Sequence, residues 1–220
     1  MRLPREGTRG YFDRIPGKWH TRYSQERPVV HRLNRVLRRA IYERYELTFE
    51  HCGPIEGATV LDIGCGTGEY SVEFARKGAS RVVGVDFAPG MVAASDTAAR
   101  KAGLAQSCKF VCADFMDLKL EERFEIVVAV GLFDYVGRPG VFLRKIAKVT
   151  AGVFLASFPS NRGLWKLQRA IRYNRIKGCE IHDYRAEQLL SLYQQAQFAS
   201  VRIHPMKRGL FVVARKGENL

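Results

Sequence analysis

The stretch VLDIGCGTG, residues 60–68, decides the fold of this chain of 220 residues. Residues 58–63 have the length and the β-branched content of a buried parallel strand. Residues 69–77 predict a helix that ends at Gly78. Three glycines therefore occupy the turn between strand and helix, where missing side chains let a ligand lie against the main chain. Since unpaired N–H groups at the start of the helix face the same point, the turn is predicted to bind a nucleotide-like ligand.

The spacing of the glycines separates two classes of ligand. A dinucleotide-binding turn has the pattern G-x-G-x-x-G or G-x-G-x-x-A. Here Glu69 stands at the last of those positions and would repel a pyrophosphate. The observed G-x-G-x-G after Asp62 resembles motif I of class I S-adenosylmethionine-dependent methyltransferases. The resemblance implies that Asp62, Gly64, Gly66 and Gly68 hold S-adenosylmethionine, with Asp62 binding its amino group directly or through water, and that S-adenosylhomocysteine is the product.

The next strand ends in a second acid. Residues 81–87 (RVVGVDF) are apolar, and Asp86 follows the glycine turn by about 20 residues, the spacing of an acid that binds ribose hydroxyls. By the same resemblance, Met91 packs on adenine and Asp114 contacts the adenine amino group, although Met91 also suits a core position. The further cofactor positions that the resemblance implies, all beside strand ends, are Phe87, Phe115 and Val130.

The remaining pattern predicts an α/β fold. Further strands are expected at 109–112, 124–130 and 152–158, and Pro89 opens a helix that runs to residue 101. A helix at 186–195 precedes a final hairpin of residues 199–204 and 209–215. The prediction is a Rossmann-like seven-stranded, mostly parallel sheet with helices on both faces, the fold of class I methyltransferases.

Positive charge is concentrated outside the predicted cofactor domain. The net charge is +14, and residues 52–159 carry 12 Lys/Arg against 12 Asp/Glu. Residues 1–51, a basic cap with an amphipathic helix at 28–50, carry 12 against 6. Within the methyltransferase domain, 52–220, the insertion 160–178 carries 6 against none. Both basic segments are expected over the carboxyl ends of the strands, where ligands bind in this fold.

Aromatic residues mark the basic cap. Its sequence YFD at 11–13, followed by Trp19 and Tyr23, resembles the N-terminal cap of small-molecule methyltransferases. That resemblance implies that Tyr11 and Tyr23 reach the cofactor carboxylate. An equal alternative is a hydrophobic anchor for the N-terminus. The insertion is expected to face an anion, which suits a carboxylate, a phosphate, an anionic membrane surface or RNA, while plain solvated surface remains the alternative.

Catalytic candidates come from segments over the strand ends. Asp134 follows the fourth strand, and His182 follows the insertion with a suitable pKa range. The sequence lacks the Asn/Asp-Pro-Pro-aromatic signature of amino-methyltransferases, the Pro-Cys of cytosine C5 enzymes and a catechol-type acid cluster. A metal-independent enzyme is therefore expected. The cap, long helix and insertion are similar to those of magnesium-protoporphyrin O-methyltransferases, but Asp134 replaces the histidine usual there.

Three functions follow from this reading. The first is methyl transfer to an oxygen or nitrogen of an anionic small molecule. The second is RNA methylation, favoured by a pI near 9.9, and the third is cofactor binding without catalysis. The five cysteines form no CxxC pair, and neither a signal peptide nor an 18-residue apolar run is found, so a cytoplasmic protein is expected.

Overall fold

The computed structural model describes residues 39–159 and 182–217, and elements are numbered in chain order within these ranges. The helices are α1 (Arg39–His51), α2 (Glu69–Arg76), α3 (Pro89–Lys101), α4 (Pro139–Val149) and α5 (Ala186–Gln195), with a 3₁₀ helix at Phe133–Tyr135. The strands are β1 (Thr59–Ile63), β2 (Arg81–Asp86), β3 (Cys108–Cys112), β4 (Phe124–Ala129), β5 (Thr150–Phe158), β6 (Ser200–Met206) and β7 (Gly209–Arg215).

The described strands form one sheet in the order β3-β2-β1-β4-β5-β7-β6. The first five in this order are parallel, whereas β7 runs antiparallel to both β5 and β6. The predicted seven-stranded, mostly parallel sheet is therefore confirmed. The predicted final hairpin is also present, with β6 at the edge of the sheet and β7 between β5 and β6.

Two cores form because alternate residues of each central strand face opposite sides of the sheet. On β1, Leu61 and Ile63 belong to one core and Val60 to the other. Helices α4 and α5 cover the first face, while α1, α2 and α3 cover the second. Since both faces are buried, the parallel strands read as continuous apolar runs, which is why they were recognised in the sequence.

Helix α4 was not predicted, although its sequence carries a signal. It begins with Pro139, a favoured first residue, and its buried side chains recur at helical spacing at Phe142, Leu143 and Ile146. The helix passes directly into β5 at Thr150, two residues before the predicted start of that strand. Without turn residues between them, the two elements merge into one apolar segment. Of the predicted helix at 28–50, residues 28–38 lie outside the described ranges.

The chain leaves the sheet in opposite directions after β1 and β4. Strand β1 is followed by β2 on one side, whereas β4 is followed by β5 on the other. Their carboxyl ends therefore border a crevice, which is the usual ligand position in open α/β sheets. None of the helices in the described ranges has the length and apolar content that a membrane crossing requires.

Candidate active site

A cavity of about 210 Å³ opens at the carboxyl ends of β1, β2 and β4. Its wall combines the glycine turn, the two strand ends beside it, and side chains of α1, α2 and α3. The lining residues are Ile41, Arg44, Asp62, Gly64, Cys65, Gly66, Glu69, Tyr70, Asp86, Phe87, Met91, Val130, Gly131, Leu132, Asp134 and Tyr135. Eight of the predicted site residues are among these sixteen.

The glycine turn is tied to the end of β2 by main-chain hydrogen bonds. The N–H of Gly64 donates to the carbonyl of Val85 at 2.7 Å. Gly64 has a φ of +75°, a left-handed conformation that glycine adopts without steric cost. Gly68, unlike Gly64, lies at the start of α2 rather than in the cavity wall. It caps α2 with a φ of +83° and does not line the cavity; a Cβ there would lie 2.7 Å from Cβ of Ser95. Its missing side chain thus lets α2 approach α3.

Asp86 is held by the main chain on both carboxylate oxygens. Oδ2 accepts a hydrogen bond from the N–H of Gly66 at 3.0 Å, and Oδ1 accepts one from the N–H of Ala88 at 2.9 Å. The residue is 8% exposed and lines the cavity. Because the backbone sets its direction before any ligand arrives, the carboxylate is oriented beside the glycine turn.

Asp62 is a second buried acid of the cavity wall. It is 3% exposed, and Oδ2 accepts a 2.6 Å hydrogen bond from Oγ of Ser71, which is fully buried on α2. Burial raises the pKa of the Asp62 carboxyl to about 7, with further contributions from the charges of Glu69 and Asp86, while the bond from Ser71 opposes the rise. Neutral pH is therefore close to the midpoint of its titration.

The other residues predicted to contact the cofactor divide into two groups. Phe87, Met91 and Val130 line the cavity. Asp114 and Phe115 do not: Oδ1 of Asp114 accepts a 2.8 Å bond from the N–H of Met116, and Phe115 is 2% exposed, with its ring centroid 5.2 Å from that of Phe142. In this structure Asp114 therefore shapes the loop after β3, and Phe115 packs in the core.

The two predicted catalytic residues lie next to one another. Asp134, in the 3₁₀ helix after β4, lines the cavity, and its carbonyl accepts a 3.1 Å bond from the N–H of His182. The His182 side chain packs on Gly137, where an added Cβ would lie 3.2 Å from Nε2, and does not line the cavity. Tyr184 strengthens this junction, because its hydroxyl donates to the carbonyl of Val136 at 2.5 Å.

Helix α1 supplies wall residues that were not predicted. Arg44 and Ile41, one turn apart, line the cavity. An added Cβ on Gly131 would lie 3.5 Å from Nη1 of Arg44, and Nε of Arg44 is buried without a hydrogen-bond partner among the described residues. The amphipathic helix was predicted, but nothing in its sequence distinguishes Arg44 from the other arginines of the segment. Tyr70, Glu69 and the buried Ser71 on α2 were missed as site residues because they follow the glycine pattern without a motif of their own.

Some predicted features lie outside the described residues, namely Tyr11, Tyr23 and the insertion 160–178. Within the described ranges, no group of three or more histidine, cysteine, aspartate or glutamate side chains is arranged to hold a metal ion.

Comparison with known proteins gives one domain family and two sets of relatives. Residues 60–152 match a family described as a methyltransferase domain. The chain is 31% identical over 160 residues to the ubiquinone biosynthesis O-methyltransferase of Nitrobacter winogradskyi, a match that covers 70% of this chain and 59% of the relative. The corresponding enzyme of Rhodopseudomonas palustris is 31% identical over 162 residues, with 70% and 61% covered. The chain thus spans about three fifths of these relatives' length.

Solved structures share the fold over more of the chain. The magnesium protoporphyrin IX methyltransferase of Synechocystis with bound S-adenosylhomocysteine has a TM-score of 0.72 at 17% identity, covering 95% of this chain and 98% of the other. An S-adenosylmethionine-dependent methyltransferase of Mesorhizobium loti has a TM-score of 0.66 at 19% identity, covering 78% and 97%. The seven-stranded sheet with its glycine turn has the fold of class I methyltransferases, and residues 60–152 match the methyltransferase domain family.

Proposed function

We propose that this protein binds S-adenosylmethionine in the cavity and transfers its methyl group to an oxygen or nitrogen of an anionic small molecule. The single observation that carries the proposal is Asp86, which two main-chain N–H groups orient beside the glycine turn. A carboxylate in this position suits the paired hydroxyls of a ribose.

The charge of the cavity wall favours a cationic ligand over a pyrophosphate. Four acids, Asp62, Glu69, Asp86 and Asp134, line one cavity. They would repel the phosphates of a dinucleotide and attract a ligand that carries a sulfonium and an ammonium group. The acid pattern therefore agrees with the G-x-G-x-G spacing of the sequence.

Arg44 fits the remaining charged group of the ligand. Its Nε is buried without a hydrogen-bond partner in the described part of the chain, which is costly for a charged donor unless a ligand supplies an acceptor. The carboxylate of a bound amino acid is such an acceptor, and arginine binds carboxylates in two-point geometry. An arginine whose buried Nε has no partner in the described part of the chain, in the same cavity as four acids, thus matches a zwitterionic ligand.

When bound, S-adenosylmethionine supplies a methyl group that is already activated by a sulfonium. The chain's own residues then have to align the acceptor, exclude water and take up its proton. Asp134 lines the cavity after β4, and its position in the 3₁₀ helix is held by the bond from the N–H of His182 to its carbonyl. We assign Asp134 as the group that receives the acceptor's proton.

Two observations support the proposed class of methyl acceptor. The relatives from Nitrobacter winogradskyi and Rhodopseudomonas palustris are named as O-methyltransferases of ubiquinone biosynthesis, which favours an oxygen acceptor. The insertion 160–178, with six Lys/Arg and no acid, favours an acceptor that carries a carboxylate or phosphate. A phenolic or enolic hydroxyl on an anionic molecule meets both conditions.

Calorimetry with S-adenosylhomocysteine tests cofactor binding. Asp86→Ala is expected to weaken binding about 10- to 100-fold, because removing a charge-assisted hydrogen bond costs about 1.5–3 kcal/mol. Asp96→Ala is the matched control, since this exposed acid of α3 pairs only with Arg100 among the described salt bridges. Equal affinities of the two variants, or no binding by the unaltered protein, would overturn the proposal.

Methyl transfer is then measured with isotope-labelled S-adenosylmethionine and a panel of phenolic acids, each compared with its uncharged methyl ester. The anionic member of each pair is expected to be methylated faster. Turnover of the esters alone would exclude an anionic acceptor, and binding without turnover on any acceptor would favour a non-catalytic role.

A further inference from the structure

A buried serine holds one acid of the cavity. Ser71 lies on α2, is fully buried, and its Oγ donates a 2.6 Å hydrogen bond to Oδ2 of Asp62. The main-chain N–H of Ser71 also stabilises the ionised form of this carboxyl. Asp62 itself is 3% exposed and lines the cavity. One residue therefore fixes the direction of a carboxyl that faces the ligand from the end of β1.

The surroundings of Asp62 contain more negative than positive charge. Glu69 and Asp86 are on the same cavity wall. Burial raises the pKa of the Cys65 and Cys108 thiols, and the charge of Asp62 contributes to the rise. The cation on this wall is Arg44, but no salt bridge in the described ranges includes Asp62. A negative charge on Asp62, close to those of Glu69 and Asp86, is therefore unfavourable until a cationic ligand binds.

We propose that Ser71 is a positioning residue for Asp62, and that ligand binding is coupled to the loss of a proton from the Asp62 carboxyl. The inference deepens the proposed function and rests on it, since the partner of the carboxylate is the ammonium of the ligand's amino acid part. In the coupled step an O–H bond of the neutral carboxyl breaks, the proton passes to solvent, and a carboxylate–ammonium pair forms.

The sign of the pH dependence of the affinity follows from the protonation state of Asp62 before the ligand binds. Burial raises the pKa of Asp62 to about 7, so the carboxyl is mostly neutral at pH 6. Binding there must displace a proton, and the affinity is expected to increase about fivefold from pH 6 to pH 7. Above about pH 8 an α-amino group loses its own proton, which confines the useful window to pH 6 to 7.5.

Titration calorimetry with S-adenosylhomocysteine across this window measures both affinity and proton release, if each pH is run in two buffers of different ionisation enthalpy. Methylthioadenosine, which lacks the amino acid part, serves as the second probe. The unaltered protein is expected to release a proton with the first probe and none with the second. Its affinity for methylthioadenosine should not change with pH.

Ser71→Ala is expected to bind S-adenosylhomocysteine more weakly at pH 7 and to release more proton at pH 7.5, because the carboxyl loses the hydrogen bond that favours its ionised form. Ser95→Ala is the matched control: Ser95 is equally buried, and its Oγ donates to the carbonyl of Val92 at 2.9 Å. Asp62→Asn keeps the volume but has no proton to lose, so its binding should be independent of pH and release none.

The possible outcomes test the proton coupling, the positioning role of Ser71 and the proposed function separately. Binding of S-adenosylhomocysteine without proton release or pH dependence would overturn the coupling. A Ser71→Ala profile equal to that of the unaltered protein would overturn the positioning role, and Ser71→Thr, which keeps the hydroxyl, provides the comparison if the alanine variant is unstable. Binding of neither probe at any pH would instead remove the proposed function.

Discussion

Gly68 shows how one absent side chain supports the site without touching the ligand. Its φ of +83° begins α2, and the space where a Cβ would stand is filled by Ser95 of α3. The two helices carry Glu69 and Met91 to the cavity wall. Close approach of α2 to α3 therefore helps to position two residues of the cavity wall.

Gly68→Ala is expected to destabilise the protein by about 2–5 kcal/mol, the sum of left-handed strain of about 1–2 and overpacking of about 1–3 kcal/mol. Gly103→Ala is a matched control, because Gly103 has a φ of +72° and open space around its Cβ position. It should lose only the strain contribution. Urea unfolding measures both free energies, and equal losses would show that the contact with Ser95 is relaxed at no cost.

Helix α1 acts as a unit that carries Arg44 and Ile41 to the cavity. Its C-terminal end packs on the last two strands: the ring centroids of His51 and His204 are 4.4 Å apart, and Arg215 donates to the carbonyl of His51 at 3.5 Å. Nε2 of His204 is buried and has no partner in the described part of the chain. The docking of this helix thus depends on the contact between these two rings and on the burial of His204.

The stability of this contact is expected to fall in mild acid. Burial, His51 and Arg202 lower the pKa of His204 below 6.5, while Glu50 opposes them. The unfolded chain then binds more protons below pH 6.5, so the contribution is complete above that pH and is lost as pH falls toward the folded-state pKa. Melting temperatures at pH 7.5 and 5.5 measure the effect.

Between pH 7.5 and 5.5 the melting temperature of His204→Gln should fall less, or rise more, than that of the unaltered protein, and His51→Gln should show part of this difference. Comparison with the unaltered protein is essential, because the raised pKa of Asp62 gives a dependence of the opposite sign in the same pH range. A His204→Gln variant whose melting temperature changes with pH as that of the unaltered protein does would show that His204 does not contribute to the pH dependence of stability.

At the scale of the whole molecule, positive charge is distributed unevenly along the chain. Residues 52–159, which form most of the cavity, have no net charge, whereas residues 160–178 carry six cations. Residues 52–159, with no net charge, can bind a zwitterionic cofactor through individual ion pairs. A cationic segment can attract an anionic acceptor from a distance. The two ligands are thus expected to respond differently to changes of surface charge.

Replacement of Arg162, Lys166 and Arg169 by glutamine is expected to lower kcat/KM for an anionic acceptor about tenfold or more at low salt. The affinity for S-adenosylhomocysteine should be unchanged. The control replaces Arg76, Arg100 and Lys101, exposed cations near the C-terminal ends of α2 and α3. Equal loss in both triple variants would mean that net charge alone, rather than the insertion, attracts the acceptor.

Sequence alone determined the positions of the strands along the chain, the glycine turn and the acid at the end of β2, because each depends on local patterns: apolar runs, glycine spacing and a fixed distance along the chain. In the loop after β3, the local pattern predicts the position of Asp114 but not the contact that its side chain makes. Asp114 follows its strand as predicted, yet its side chain bonds to the N–H of Met116, and Lys145 of α4 holds the same loop by donating to the carbonyls of Met116 and Leu118.

Only the tertiary structure decided which side chains share the cavity. Arg44 reaches it from α1 and Ser71 meets Asp62 across the interface of α2 and β1, and no spacing along the chain distinguishes either residue from its neighbours. The physical reason is that burial, orphaned donors and raised pKa values arise from packing between elements distant in sequence. Local patterns place the backbone of the turn, while long-range packing sets the charge that its ligand meets.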